Sequence, residues 1–316
     1  MKKRANNCVR QISAGGRGWQ ALIAAASACV VAAVPLAAKA DPLDPQVVNS
    51  WMAMATATQS AQPHWMTPLV LVTPRLEQEL RFDFYDQQNG TGSQGNGQHI
   101  YNYGGPGGIR AELIPTYYTE IILAAPPIEN AWGPKGVGQG PGDWPAFLVK
   151  DRFFSANEEN GNYILSGFFQ MSQPLGTPGK ISNNVLVAQP TLAGGKGWGD
   201  FDLEMTISQQ YPVAAEGLGA TGATMRNFGD PVLWNTVFQY HFLQYFWPEL
   251  EVNYEYWPNG EHSGLSQVLL TPGIVFGRFP LGPPRQNLIF GVGYQFAVTP
   301  NPVVYNNLVA TLRITF

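Results

Sequence analysis

From Leu76 onward the chain alternates. In LEQELRFDFY, Leu76, Leu80, Phe82 and Phe84 share one face with Gln78, while Glu77, Glu79, Arg81 and Asp83 share the other. DFDLEMTIS sets Phe201, Leu203, Met205 and Ile207 against Asp202, Glu204, Thr206 and Ser208. PELEVNYEYWP sets Leu250, Val252, Tyr254 and Tyr256 against Glu249, Glu251, Asn253 and Glu255, and QNLIFGVGYQFAV sets five apolar residues against Asn287, Gly291, Gly293 and Gln295. The last stretch, NNLVATLRITF, places Leu308, Ala310, Leu312, Ile314 and Phe316 opposite Asn307, Thr311, Arg313 and Thr315, with Val309 the one apolar residue on the polar side. A period of two belongs to strands with one dry and one wet face.

Extending this reading predicts about twelve strands. They run Leu76 to Tyr85, Gln98 to Tyr103, Ile109 to Leu123, Phe147 to Phe154, Tyr163 to Ser172 and Asn184 to Leu192. The rest run Phe201 to Ser208, Val232 to Phe242, Glu249 to Trp257, Ser266 to Arg278, Asn287 to Val298 and Tyr305 to Phe316. The even-numbered connections are short (GGPGG, SANEENG, AGGKGWG, LQYFWP, FPLGPPR). The odd ones include the two longest, Ala124 to Ala146 and Gln209 to Pro231. One helix is expected, over PQVVNSWMAMATATQSA. A soluble sandwich also alternates. Strands long enough to cross a bilayer on a tilt, with short turns at one end and long loops at the other, instead predict an all-β, up-and-down antiparallel transmembrane barrel. Aromatic residues at strand ends and turns (Trp198, Tyr245, Phe246, Trp247, Tyr256, Trp257) suit interfacial girdles.

The first forty residues differ from the rest. Lys2, Lys3, Arg4, Arg10 and Arg17 lead into the apolar ALIAAASACVVAAVPLAA, and Ala38 and Ala40 are small residues at a cleavage site. This reads as a cleaved leader for Sec export rather than a spanning helix, since the run is Ala-rich and broken by Pro35. Both cysteines, Cys8 and Cys29, fall inside it. The domains are then a signal peptide over 1–40, a periplasmic segment or plug over 41–75, and the barrel over 76–316. Of 18 Lys and Arg, six precede Asp41, leaving 12 against 22 Asp and Glu. Such an acidic chain is a poor partner for nucleic acid. No cofactor and no metal site is implied.

With these features in place, the closing strand resembles that of Gram-negative outer-membrane β-barrels. Apolar residues at every second position and a terminal Phe form the address read by the barrel-assembly machinery. On that resemblance Leu312, Ile314 and Phe316 carry the signal, the location is the outer membrane, and the surroundings are outer-membrane lipid and lipopolysaccharide. PHWMTPLVLVTPRLEQELRFDFYD and LLTPGIVFGRFPLGPPRQNLIFGVGYQFAV further resemble the outer-membrane family named after the meta pathway of phenol degradation. That likeness implies a barrel admitting hydrophobic or aromatic compounds, and supplies no catalytic or binding residues.

The wet face becomes the lumen. Glu77, Glu79, Asp83, Glu112, Glu120, Asp202, Glu204, Glu249, Glu251 and Glu255 are expected to point inward, with Arg81, Arg110, Lys150, Arg152 and Arg313. An open pore lined this way favours cations or neutral solutes. The same charges could instead form a cross-strand lattice stiffening a closed barrel. The loop IENAWGPKGVGQGPGDWPAF holds Trp132 and Trp144, which either gate a route for an aromatic solute or anchor a surface loop. The expected function is passive transport of a small solute, hydrophobic or aromatic. The alternatives are a closed structural or surface-binding barrel, or a lipid-modifying or hydrolytic enzyme. Of the four histidines, only His262, in NGEHSGL, neighbours Ser and Glu, and adjacent residues of an extended segment face opposite ways. No catalytic residue is assigned.

Overall fold

A computed structural model of the chain describes residues 45–91, 96–134, 136–176, 182, 184–213 and 222–316. The leader expected over 1–40 lies outside them. Among the described residues sixteen strands form one antiparallel sheet: β1 (Glu79–Asn89), β2 (His99–Tyr103), β3 (Ile109–Leu113), β4 (Thr119–Ala125), β5 (Ile128–Trp132), β6 (Gly138–Pro141), β7 (Trp144–Ala156) and β8 (Tyr163–Gln173). They continue as β9 (Leu186–Trp198), β10 (Phe201–Gln209), β11 (Tyr211–Val213), β12 (Val232–Tyr240), β13 (Phe246–Tyr256), β14 (Ser266–Pro280), β15 (Asn287–Ala297) and β16 (Val304–Thr315). The sheet closes through β1 and β16, paired from Glu79↔Thr315 to Asn89↔Val304. Closure leaves no sheet edge at this seam, and a lipid environment requires its backbone groups to be paired in this way.

Among the described residues twelve strands make the wall, the number expected from the sequence, but the early ones have other bounds. Ile109 to Leu123 is not one strand: β3 ends at Leu113, and β4 begins at Thr119 after a short turn. GGPGG is not a turn at the barrel end. β2 and β3 both run antiparallel to β1, β2 against Phe84 to Gln88 and β3 against Glu79 to Arg81, so Gly104 to Gly108 joins two pieces of one wall strand. Gly104, Gly105 and Gly108 have φ of 116°, 69° and 69°, a region that side-chain-bearing residues rarely enter. Likewise Pro126 and Pro127 separate β4 from β5, and Gly142 with Asp143 separates β6 from β7. The stretch from Ala124 to Ala146 is therefore wall strand and hairpin, not loop.

Burial follows the alternation, inside out. Leu80 is 52% exposed and Leu312 47%, whereas Glu79 is 1% and Arg313 0%. Leu76 departs from its expected outward face. It precedes the strand and is buried with Ala55 and Ile114.

The expected helix is present as Pro45–Ser60. From Trp51 on it is tied to the short-turn end. Trp51 Nε1 donates to Ile114 O at 2.6 Å, and Arg285 donates to Thr56 Oγ1 at 2.6 Å and Gln59 Oε1 at 2.9 Å. Gln62, Trp65, Met66, Leu69, Leu71, Thr73, Arg75 and Leu76, between helix and β1, are all buried, so this stretch fills the lumen as a plug.

Candidate functional site

The plug, PHWMTPLVLVTPRL, is extended, Pro-rich and outside the sheet, so its backbone groups have no ladder to satisfy them. Left unpaired in an enclosed lumen, each would cost about 1–3 kcal/mol. The wall's inward charges supply the partners. Glu251, on β13, accepts the N–H groups of Val70 and Leu71 at 2.7 and 2.8 Å, and Glu249 accepts that of Leu69 at 3.0 Å. Carbonyls are met by cations. Arg313, on β16, donates to Thr67 and Pro68, Arg81 to Leu69 at 2.7 Å, and Lys150 to Arg75 at 2.7 Å. Arg278 leaves the alternation at an irregularity in β14 and donates to Trp65 O at 2.9 Å, while Ser166 Oγ donates to Pro74 O at 2.6 Å.

Side chains add a shape match. A Cβ on Gly273, Gly291 or Gly293 would stand 2.4, 2.8 or 2.6 Å from a methyl of Leu69. These three glycines of β14 and β15 form the socket for one leucine, whose rim is Met66, Tyr85, Trp247, Val275, Ile289 and Val309. Val309, the lone apolar residue on the wet face of β16, is thereby explained. Val72 packs on a second inner apolar patch, Ile122, Leu148, Phe168 and Ala193. Gly195 and Gly197 of β9 similarly leave room for the Trp65 indole.

The residues expected to line the lumen thus divide into groups. Arg81, Glu249, Glu251 and Arg313 hold the plug. Asp83 and Glu112 belong to an ion-pair lattice on β1 and β3, in which Arg81 meets Asp83 and Arg110 meets Glu112, each at 2.9 Å. Glu77 lies just ahead of β1 rather than in it, paired with Arg75 at 2.8 Å, and Glu120 pairs with Lys150 at 3.0 Å. Glu79, Asp202 and Glu204 are buried on the inner surface. Glu255 accepts Gln267 Nε2 at 3.1 Å and does not reach the plug. A continuous charged pore is not what this arrangement makes.

The proposed gate residues lie elsewhere. Trp132 does not turn inward: it packs at 4.4 Å from His99 and 4.9 Å from Tyr101, beside the outward-facing Phe84. Trp144 donates its indole N–H to Ala124 O at 2.7 Å. Residues 214–221 of the second long loop lie outside the described residues. Leu312 and Ile314 face outward, and Gln78 and Arg285 each donate to Phe316 O at 3.1 Å. His262 packs against Trp257 at 5.3 Å, while Ser263 Oγ donates to Pro258 O. At the short-turn end, His64 N–H and ring both bond Glu158. Partial burial alone would raise this carboxyl, but those bonds hold it below the usual carboxylate range.

Sequence reasoning missed the plug's grip, Leu69 and its glycine socket. The available signals were an apolar run between prolines with no period of two, and glycines recurring on the inward face of β15.

No protein-family model and no curated protein matches the chain. Among solved structures, it is similar to an outer-membrane channel from Pseudomonas putida F1, with 12% identity over 76% of this chain and 96% of that one and a TM-score of 0.51. It is also similar to the β domain of the Bordetella autotransporter BrkA (14% identity, 76% and 100% covered, TM-score 0.39). A third is CymD, a monoaromatic hydrocarbon channel (10% identity, 83% and 91% covered, TM-score 0.35). The first of these likenesses, with the closed sheet, shows the fold of an outer-membrane β-barrel.

Proposed function

We propose that the protein is an outer-membrane channel for small apolar or aromatic solutes, closed at rest by its own N-terminal segment. In this reading it is exported through the Sec pathway, loses residues 1–40, and is inserted by the barrel-assembly machinery acting on Leu312, Ile314 and Phe316. It then stands among lipid and lipopolysaccharide. The observation that carries the proposal is the lumen itself. Many of its charges are engaged with plug backbone or with each other, while Tyr85, Val275, Ile289 and Val309 form an apolar surface that Leu69 covers. Displacing the plug would offer that surface to an apolar solute. The family likeness on the LTPG strand and the Gly-aromatic hairpin supports the same cargo class.

The test is uptake of a labelled monoaromatic compound into asymmetric vesicles whose outer leaflet is lipopolysaccharide. Faster uptake with the protein, at low salt conductance, supports the reading; equal uptake with and without it refutes it. The filled lumen also suits a second reading, a barrel that never opens and presents its loops to partners. Loop truncations that abolish surface binding and leave uptake unchanged would favour it.

A further inference from the structure

Beyond the plug, toward the long-loop end, the inner wall changes character. Glu251 holds the plug, and the next inner residue of β13 is Asn253. Gly293 and Val309 seat Leu69, and the next inner residues of β15 and β16 are Gln295 and Asn307. These amides are bonded to one another in a chain with a single direction. Asn307 Nδ2 donates to Gln295 Oε1 at 3.5 Å, Gln295 Nε2 to Asn253 Oδ1 at 2.9 Å, Asn253 Nδ2 to Asn235 Oδ1 at 3.0 Å, and Asn235 Nδ2 to Thr206 Oγ1 at 3.2 Å. The chain runs from β16 to β10, passing over β14, and none of its residues carries a formal charge.

Asn253 and Asn235 are half-buried, whereas Glu249, Glu251 and Arg313 nearer the plug are buried. A solute entering from the long-loop end therefore meets these two amides before the clamp. An amide has two N–H groups and two carbonyl lone pairs, and the chain uses one of each at both residues, so each keeps capacity for a further partner. The surroundings sort solutes by charge. An anion here would face Glu251 and Glu255, on the same face of β13 as Asn253. A cation needs carbonyl oxygens, and turning one amide round to offer its own breaks two bonds of the chain. The nearby carboxylates are themselves engaged, Glu251 by the plug and Glu255 by Gln267. A bare hydrocarbon would strip water from the amides and give nothing back. A neutral polar group meets them without any of these costs.

The apolar surface under Leu69 lies one inner position nearer the plug, about 7 Å along the strands, a separation that a benzene ring and one substituent bridge. We propose that the amide chain selects the cargo: a neutral aromatic compound bearing a hydrogen-bonding group such as an amide or alcohol, its ring on the surface that Leu69 vacates and its polar group on Asn253 and Asn235. The inference rests on the reading of the barrel as a channel for apolar or aromatic solutes and adds to it a polar group that the reading itself does not require.

The experiment is uptake of labelled benzamide, toluene, benzoate and benzylamine into the lipopolysaccharide-faced vesicles, with the parent chain and with Asn253→Leu, Asn235→Leu and Asn253→Gln. In the parent, the protein-dependent rate for benzamide should exceed those for benzoate and benzylamine about tenfold or more, the effect of roughly one hydrogen bond. Each Leu substitution should lower the benzamide rate by a similar factor and leave toluene uptake unchanged or faster, while Asn253→Gln, which keeps the amide, should retain most of it. Heat-modifiable migration checks that the variants fold, and the parent's ranking of the four probes decides the matter even where a Leu variant does not. If the protein speeds toluene and not benzamide, or if neither Leu substitution slows benzamide, the amide inference is wrong and the aromatic-channel reading stands. A parent that prefers benzoate or benzylamine to benzamide also overturns it. If the protein speeds none of the four, both readings fall together.

Discussion

Glu251 is the sharpest probe of the plug. Its carboxylate accepts two successive backbone N–H groups, those of Val70 and Leu71, at 2.7 and 2.8 Å. Charge-assisted hydrogen bonds contribute about 1.5–3 kcal/mol each, so the pair sets an upper range of about 3–6 kcal/mol. Two effects bear on the net value. Glu251→Ala leaves two N–H groups unpaired in the seated state, which adds to the loss. It also removes a buried charge beside Glu249, which offsets part of it. A net shift of about 3 kcal/mol toward the unseated plug corresponds to a rise of roughly a hundredfold in its population. Single-channel recording in planar bilayers should then show frequent openings in Glu251→Ala where the parent is nearly silent. Glu255→Ala is the matched control, since Glu255 lies on the same strand and inner face but bonds Gln267 and not the plug. If folded, heat-modifiable Glu251→Ala is as silent as the parent, or if Glu255→Ala opens equally, the clamp reading is wrong.

Three further outcomes follow from the same geometry. Gly293→Ala would place a methyl 2.6 Å from Leu69, so it should unseat the plug or cost about 1–3 kcal/mol of thermal stability, and Leu69→Ala in the same chain should recover much of that loss. Lys150→Met breaks the buried pair with Glu120 and strips the Arg75 carbonyl of its donor; it should destabilise the barrel by about 3–5 kcal/mol in urea unfolding, more than Lys150→Met made together with Glu120→Gln. Glu158 has a folded-state pKa below its unfolded one, so its bond to His64 contributes stability above the unfolded value, lost as pH falls through the folded one. Protease cleavage near His64 should therefore rise on acidification below the usual carboxylate range, and Glu158→Gln should flatten that profile.

The barrel was legible in the sequence because lipid on one side and a polar interior on the other impose a strict period of two, as in β10, β13 and β16. The strand breaks were less so. GGPGG carries every signal of a tight turn, and only pairing with β1 reveals that the chain continues in the same direction. The inward positions of the charges could be read from spacing; their work could not. A carboxylate facing water and one facing a backbone N–H have the same sequence neighbours, and the segment that supplies those N–H groups lies some 180 residues earlier in the chain, as Leu69 does from Glu249. An extended plug has no periodicity of its own to announce it. The glycines at Gly291 and Gly293 looked like part of an alternation because their second role depends on what fills the space above them.

The wall holds most of the plug by its carbonyls and N–H groups, which every residue carries. The plug side chains that are not fully buried, His64, Val70 and Val72, are thus freer to vary without loosening the seat, while Leu69 and its glycines must change together. Such a design separates two traits that selection would otherwise have to adjust at once: what closes the barrel, and what chemical surface a passing molecule meets. Variants of this protein could diverge in cargo through substitutions at positions such as Val70 or Val72 and still arrive at a shut barrel.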